Sequence, residues 1–188
     1  MKTQMSMFGI ALLIMILIVA IILGFAAGPT SPLTWALVGF LFAIPYLHRR
    51  YSMQNYVEWD DKYSVGIESI DKQHKRLIDL INQLKTAVDY STDEEFERSA
   101  LTALVDYTKT HFTYEEELME KYGYPDYESH KAEHQKMIRE VEKVLKEYEE
   151  DHDRAMEHAL AFLKSWLINH INGTDKQYSD FLISKGVK

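Results

Sequence analysis

Residues 111–134 read HFTYEEELMEKYGYPDYESHKAEH and set His111-x3-Glu115 and His130-x3-His134 on either side of a break at Gly123-Tyr124-Pro125. Side chains four residues apart stack on one face of an α-helix, so each pair aims two metal-binding atoms at one spot. Such spacing also arises on solvated helices, and register decides between the two readings. The apolar stripe before the break runs Phe96, Ala100, Leu104, Tyr107, His111, Glu115, Leu118 and Tyr122; the stripe after it runs Tyr127, His130, His134, Met137, Val141, Leu145 and Tyr148. Both pairs therefore fall on the core-facing side of a 3.6-residue pattern, where an unpaired carboxylate is costly. A single histidine in such a stripe reads as packed core. Four ligand-type residues in two facing stripes read as a metal site.

Outward from this stretch the same period recurs. Ile70, His74, Leu77, Ile81, Leu84 and Val88 form the stripe of an earlier helix, which Ser69 or Asp71 can cap. Ser91-Thr92-Asp93-Glu94 is a capping-box pattern opening the helix that ends near Gly123, and Asp126 can cap the next, which runs to about Glu150. A fourth helix from about Asp151 carries Met156, Leu160, Leu163, Leu167 and His170, with Asn172-Gly173 as its stop signal. Asp175 follows, and a short amphipathic turn through Tyr178, Phe181 and Leu182 closes the chain. Four helices with short connections predict an all-α, up-down-up-down four-helix bundle. Counted from the breaks, Glu115 and His134, and His134 and His170, fall at matching heights to within about 3 Å, and His74 and His111 to within about 8 Å. Seven ligand-type residues thus converge on one level: His74, His111, Glu115, His130, His134, His170 and Asp175.

The first fifty residues differ from the rest. Residues 1–57 hold three basic residues (Lys2, Arg49, Arg50) and no acid, so 18 Lys+Arg against 29 Asp+Glu leave a charge of −11 on residues 58–188. An acidic domain without a basic stripe argues against a nucleic-acid partner. The absence of cysteine excludes disulfides, Fe–S clusters and thiolate nucleophiles, and leaves nitrogen and oxygen as metal ligands. Phe8 to Ala27 is an uncharged apolar run, about 30 Å as a helix, that matches a bilayer core. A cleaved signal peptide ending at Ala26-Ala27 is the competing reading, but the run exceeds the usual apolar core of a leader. Residues 33–47 are again apolar, though short and interrupted by Pro45. The expectation is a transmembrane hairpin over 1–50 with spans at about 8–27 and 33–47, a linker at 51–57, and the bundle over 58–188 with Trp59 as a packing anchor. Placing Lys2 and His48-Arg49-Arg50 on one side makes the protein multi-pass in the cytoplasmic membrane, with the bundle facing the cytoplasm.

The order His74, His111-x3-Glu115, His130-x3-His134, His170-x4-Asp175, with the approach VEWDDKYSVGIESIDKQH, resembles the hemerythrins and their bacterial branch over roughly 57–186. The resemblance implies two non-haem iron ions, oxo- or hydroxo-bridged, with His130, His134 and His170 on one, His74 and His111 on the other, and Glu115 and Asp175 bridging. Two octahedral ions offer twelve positions; five imidazoles, two bridging carboxylates and one bridging oxygen fill eleven, which leaves one open for dioxygen. Imidazole and carboxylate suit iron, and also Mn or Zn. By the same resemblance Leu167 and Ile171 line an oxygen pocket, though core packing accounts for Leu167 equally well; Tyr178, three residues after Asp175, is placed either to hydrogen-bond a bridging carboxylate or simply to pack. His48, His152 and His158 read as solvated.

Three functions follow. The first is reversible dioxygen binding for carriage, storage or supply to a membrane partner. The second is an oxygen or redox sensor signalling to such a partner; the expectation that no output domain follows the bundle counts against it without deciding the matter. The third is a diiron peroxidase or ferroxidase, which needs a proton donor beside the metals. With seven ligands assigned, the core stripes leave no spare acid or histidine, so reversible binding is the expectation.

Overall fold

The computed structural model of the chain describes residues 7–28, 30–53, 56–90, 93–150 and 152–188. It divides into two units, Met1–Tyr56 and Val57–Lys188.

In the first unit, α1 (Met7–Ala27) and α2 (Pro32–Met53) pack against each other. Gly24 permits the approach, because a β-carbon there would stand 2.5 Å from the Thr34 hydroxyl. Phe25 and Trp35 meet edge to face at 5.4 Å. The apolar span expected at about 33–47 lies within α2, which passes through Pro45 and continues to Met53, so that residues 51–53 at the start of the expected linker are helical. Among the described residues, one helix, Phe8–Ala27, is long and apolar enough to cross a membrane, and the apolar part of α2, Pro32–Leu47, is shorter. Lys2 lies outside the described residues.

The second unit holds α3 (Glu68–Asp89), α4 (Glu94–Tyr122), α5 (Tyr127–Glu150), α6 (His152–His170) and α7 (Lys176–Ser184). Contacts between α3 and α4, α4 and α5, α5 and α6, and α6 and α3 close a four-helix ring. Local chemistry sets the ends. Asp93 caps α4 by accepting from the Phe96 amide at 2.8 Å; Ser91 and Thr92 of the predicted capping box lie outside the described residues. Gly123 ends α4 in the left-handed region at φ 70°, which a β-carbon would disfavour. Neither Ser69 nor Asp71 caps α3. The cap position is Ile67, without a side-chain bond, and Asp71 instead ties down the incoming segment by accepting from Val65 N at 2.8 Å and Ser64 Oγ at 2.5 Å. Trp59, half-buried against the core, anchors the same segment with Lys75 over its ring.

The buried face of α4 runs Leu101, Leu104, Val105, Thr108, His111, Phe112, Glu115 and Met119. Phe96, expected at the head of the stripe, is 50% exposed. Asn172-Gly173 is not a stop either. The chain passes through one π-helical turn, Ile171–Asp175, and continues as α7.

Two apolar clusters share the interior. One, with Val65, Ile67, Ile70, Met119, Tyr124, Tyr178 and Leu182, closes the end where α7 docks; the other fills the rest of the bundle around Leu77, Phe112, Met137 and Leu167. Each of α3, α4 and α5 passes from one cluster to the other through a short polar stretch: His74 between Ile70 and Leu77, Glu115 between Phe112 and Met119, and His130 and His134 between Tyr124 and Met137. The polar level is thus sealed by hydrocarbon above and below.

Candidate metal centre

All seven expected residues lie on that level. His74, His111, Glu115, His130, His134, His170 and Asp175 are each no more than 5% exposed. They form two groups that share their carboxylates: Glu115, His130, His134, His170 and Asp175 in one, and His74, His111, Glu115 and Asp175 in the other, with ligand-type atoms within 4.8 Å of one another in each.

The π turn explains the last pair. A residue five positions along an α-helix lies about 140° around it from the first. The wider i→i+5 turn brings Asp175 back beneath His170, and Asp175 Oδ1 stands 3.0 Å from His170 Nε2.

Each carboxylate divides its oxygens between the groups. Glu115 Oε1 faces His111 Nε2 at 3.5 Å and His74 Nε2 at 3.7 Å, while Oε2 faces His134 Nε2 at 3.4 Å and His130 Nε2 at 3.8 Å. Asp175 Oδ2 faces His74 Nε2 at 3.3 Å, and Oδ1 faces His170 and His130. His134 Nε2 stands 3.1 Å from both His130 Nε2 and His170 Nε2. Adjacent ligands at metal–nitrogen distances near 2.1 Å are about 3.0 Å apart on an octahedral ion and about 3.4 Å apart on a tetrahedral one; the two nitrogen–nitrogen spacings of 3.1 Å lie nearer the former, while most of the histidine–carboxylate spacings are longer than either.

The unmet demand of these atoms fits a metal too. Among the described residues, six buried atoms find no partner in hydrogen-bonding geometry: both ring nitrogens of His74, His111 Nε2, Glu115 Oε2 and both oxygens of Asp175. An orphaned buried polar group costs about 1–3 kcal/mol, and a charged one more. Ligation by cations would satisfy the five inward-facing atoms and leave His74 Nδ1.

Charge points the same way. Burial disfavours ionisation of Glu115 and Asp175, yet the surrounding histidines outweigh it and hold both below the ordinary carboxylate range. Burial likewise opposes protonation of His74, but the Asp175 and Glu115 carboxylates hold its pKa up at about 9. His111 goes the other way, pushed down to about 4 by burial despite Glu115. A centre that keeps two anions ionised and recruits a proton to offset them has the charge to accept cations in the proton's place.

Tyr178, fully buried, donates its hydroxyl to Glu115 Oε1. Burial and the nearby carboxylates raise its pKa well above the phenol range, which keeps it a donor. Leu167 and Ile171 are buried in the larger apolar cluster. His158 is exposed, 3.4 Å from Glu147, and the side chains of His48 and His152 lie outside the described residues. Two contacts were not foreseen: Gln73 Oε1 stands 3.0 Å from His111 Nδ1, and Glu116 Oε1 stands 3.0 Å from His134 Nδ1. Height was the available signal, since Glu116 lies 8 residues before Tyr124 and His134 10 after.

Residues 65–182 match the family described as Hemerythrin HHE cation binding domain. A bacteriohemerythrin of Stenotrophomonas maltophilia is 38% identical over 122 residues, 65% of this chain and 78% of the relative. That of Methylococcus capsulatus is 32% identical over 121 residues, 64% of this chain and 92% of the relative. The crystal structure of a wild-type hemerythrin superposes with a TM-score of 0.58 at 32% identity, covering 67% of this chain and 97% of that one.

Proposed function

The chain belongs to the hemerythrin HHE cation binding domain family, and from that premise we propose that its buried centre holds two non-haem iron ions and binds dioxygen reversibly. The carrying observation is the division of Glu115 and Asp175, each with one oxygen toward His74 and the other toward the histidines of α5. His130, His134 and His170 would hold one ion and His74 and His111 the other, with Glu115 and Asp175 each offering one oxygen to either group. An iron pair would supply, when bound, the electrons that dioxygen needs, and the group with only two histidines, His74 and His111, has fewer protein donors to offer than the other. The protein's own work is to keep the position left open there dry. Leu167 and Ile171 exclude water, and Tyr178 fixes Glu115 while holding its own proton too tightly to release it.

We also propose that the first unit anchors the chain in a membrane as a hairpin, with the bundle on the cytoplasmic side by the basic pair Arg49-Arg50. The support is the exposure of Phe8, Met15, Ile16, Ile22, Leu23, Trp35 and Phe42, each more than half exposed. Oxygen carriage, storage or local supply at the membrane is the role this combination serves.

The test is an optical spectrum of the reduced full chain in detergent, taken before air, after air and after degassing. An absorption change that reverses over several cycles supports the reading. Steady consumption of dioxygen with an added electron donor, and no reversible band, replaces it with an enzyme. For the anchor, protease added to intact cells should leave the bundle uncut.

A further inference from the structure

His111 and His134 are each held from behind by a side-chain oxygen at 3.0 Å, but the two holders differ in charge. Gln73 Oε1 and Glu116 Oε1 are both acceptors, so in both histidines Nδ1 carries the proton and Nε2 turns a free lone pair inward. Gln73 is a neutral amide. Glu116 is a carboxylate, and it is placed rather than adrift: its other oxygen lies 3.8 Å from Lys131 Nζ, which donates to Tyr127 Oη at 3.0 Å. Glu116 lines a cleft of about 360 Å³ together with Phe112 and His134, and its side chain is 21% exposed. Partial desolvation strengthens the bond to His134. A carboxylate accepting from Nδ1 draws the ring proton toward itself and loads electron density onto Nε2, which an amide does weakly. Lys131 offsets part of this, from a longer distance than the His134 contact.

We propose that Glu116 is a positioning residue that makes His134 a stronger electron donor than His111, so that the ion on the three-histidine side is the more readily oxidised of the two. The proposal rests on the diiron reading above. It gives the centre a built-in order of electron loss, set by two side chains that touch neither ion.

The test uses the full chain with zinc and, separately, with ferrous iron. Glu116→Ala should lower zinc affinity about tenfold to a hundredfold, as loss of a ligand's outer partner typically does. Glu116→Gln, which keeps an acceptor and removes the charge, should recover most of that loss. The two-ferrous protein is then titrated with ferricyanide, each equivalent removing one electron from the protein and becoming ferrocyanide. In wild type the two steps should be separated. Glu116→Gln should raise the first potential, and Gln73→Glu should lower the second, so both variants narrow the gap. A merely structural role would move affinity and leave the gap alone. An unchanged gap in Glu116→Gln loaded with two irons overturns the proposal while the diiron reading stands; wild-type chain that takes up neither metal overturns both.

Discussion

On one side of the buried centre Phe112 lies flat on His134, with ring centroids 3.7 Å apart and planes 4° apart, and Trp166 lies on His170 at 4.2 Å and 17°. On the other side His74 and His111 meet edge to face at 4.8 Å, and His74 Nδ1 has no hydrogen-bond partner among the described residues. The residue types are the same but the freedom is not. Rings clamped by aromatic neighbours are suited to holding an ion fully coordinated. A pair free of flat stacking keeps more freedom to turn, which suits the open position proposed for that side.

Glu115 belongs to both sides, so its loss should be the most damaging. Glu115→Ala should empty both metal positions and lower the melting temperature by roughly 10 °C or more, because removing one member of a buried charged network costs about 3–5 kcal/mol. Metal analysis and thermal melts check this against His158→Ala, which changes an exposed side chain and should do neither. Full metal occupancy in the Glu115 variant would sink the shared-carboxylate reading.

Single-histidine variants ask whether the clamps matter. His134→Ala and His111→Ala should each lower metal content. His134→Ala should also cost about 0.5–1.5 kcal/mol more in the melt, since a stacked ring pair is lost with the ligand. Equal melts would make the stacking incidental.

The same contrast shows what could be read before any coordinates. Four of the proposed ligands come in i,i+4 pairs, and an α-helix stacks such pairs regardless of tertiary context, so the sequence alone puts His111 beside Glu115 and His130 beside His134. His170 and Asp175 are five apart and belong together only through a π turn. Residues 172 and 173 read as a helix stop because Asn and Gly favour one; burial of Asp175 and Leu182 in the core accompanies the opposite outcome. The periodic pattern puts Gln73 and Glu116 off the core face, although their long side chains reach back to His111 and His134. Phe96 shows the converse: the buried face of α4 opens with Glu97 and Leu101, one residue round from the expected stripe, and leaves Phe96 half exposed. In the first unit, composition marked both apolar runs, but it could not place the end of α2, because Pro45 costs a helix one hydrogen bond without obliging it to stop.

A smaller effect should separate holding from exchange. Leu167 is 5% exposed within the larger apolar cluster. Leu167→Asn should keep both irons yet lose its reversible response to dioxygen several-fold faster, because a buried amide brings water with it; the cavity and the polar group together should cost about 2–4 kcal/mol. The readout is decay of the dioxygen-dependent absorption beside iron content. Unchanged decay would remove Leu167 from the oxygen pocket.

The mildest change tests the two-histidine side alone. The Tyr178 hydroxyl donates to Glu115 Oε1, the oxygen that faces His74 and His111, while Oε2 faces His130 and His134. Tyr178→Phe therefore removes a donor from one side's oxygen and leaves the other side as it was. A hydrogen bond to a buried carboxylate contributes about 1.5–3 kcal/mol, and that loss should appear in full in the chelator-stripped protein, where Oε1 has no metal to turn to. In the metal-loaded protein the ion satisfies Oε1, and the loss should shrink toward the low end of the range. Melts of wild type and Tyr178→Phe, each stripped and loaded, give the four values needed. A larger loss in the loaded state than in the stripped one would mean that Tyr178 acts on the ion's own binding, and that the two sides of the centre are not separable in the way their geometry implies.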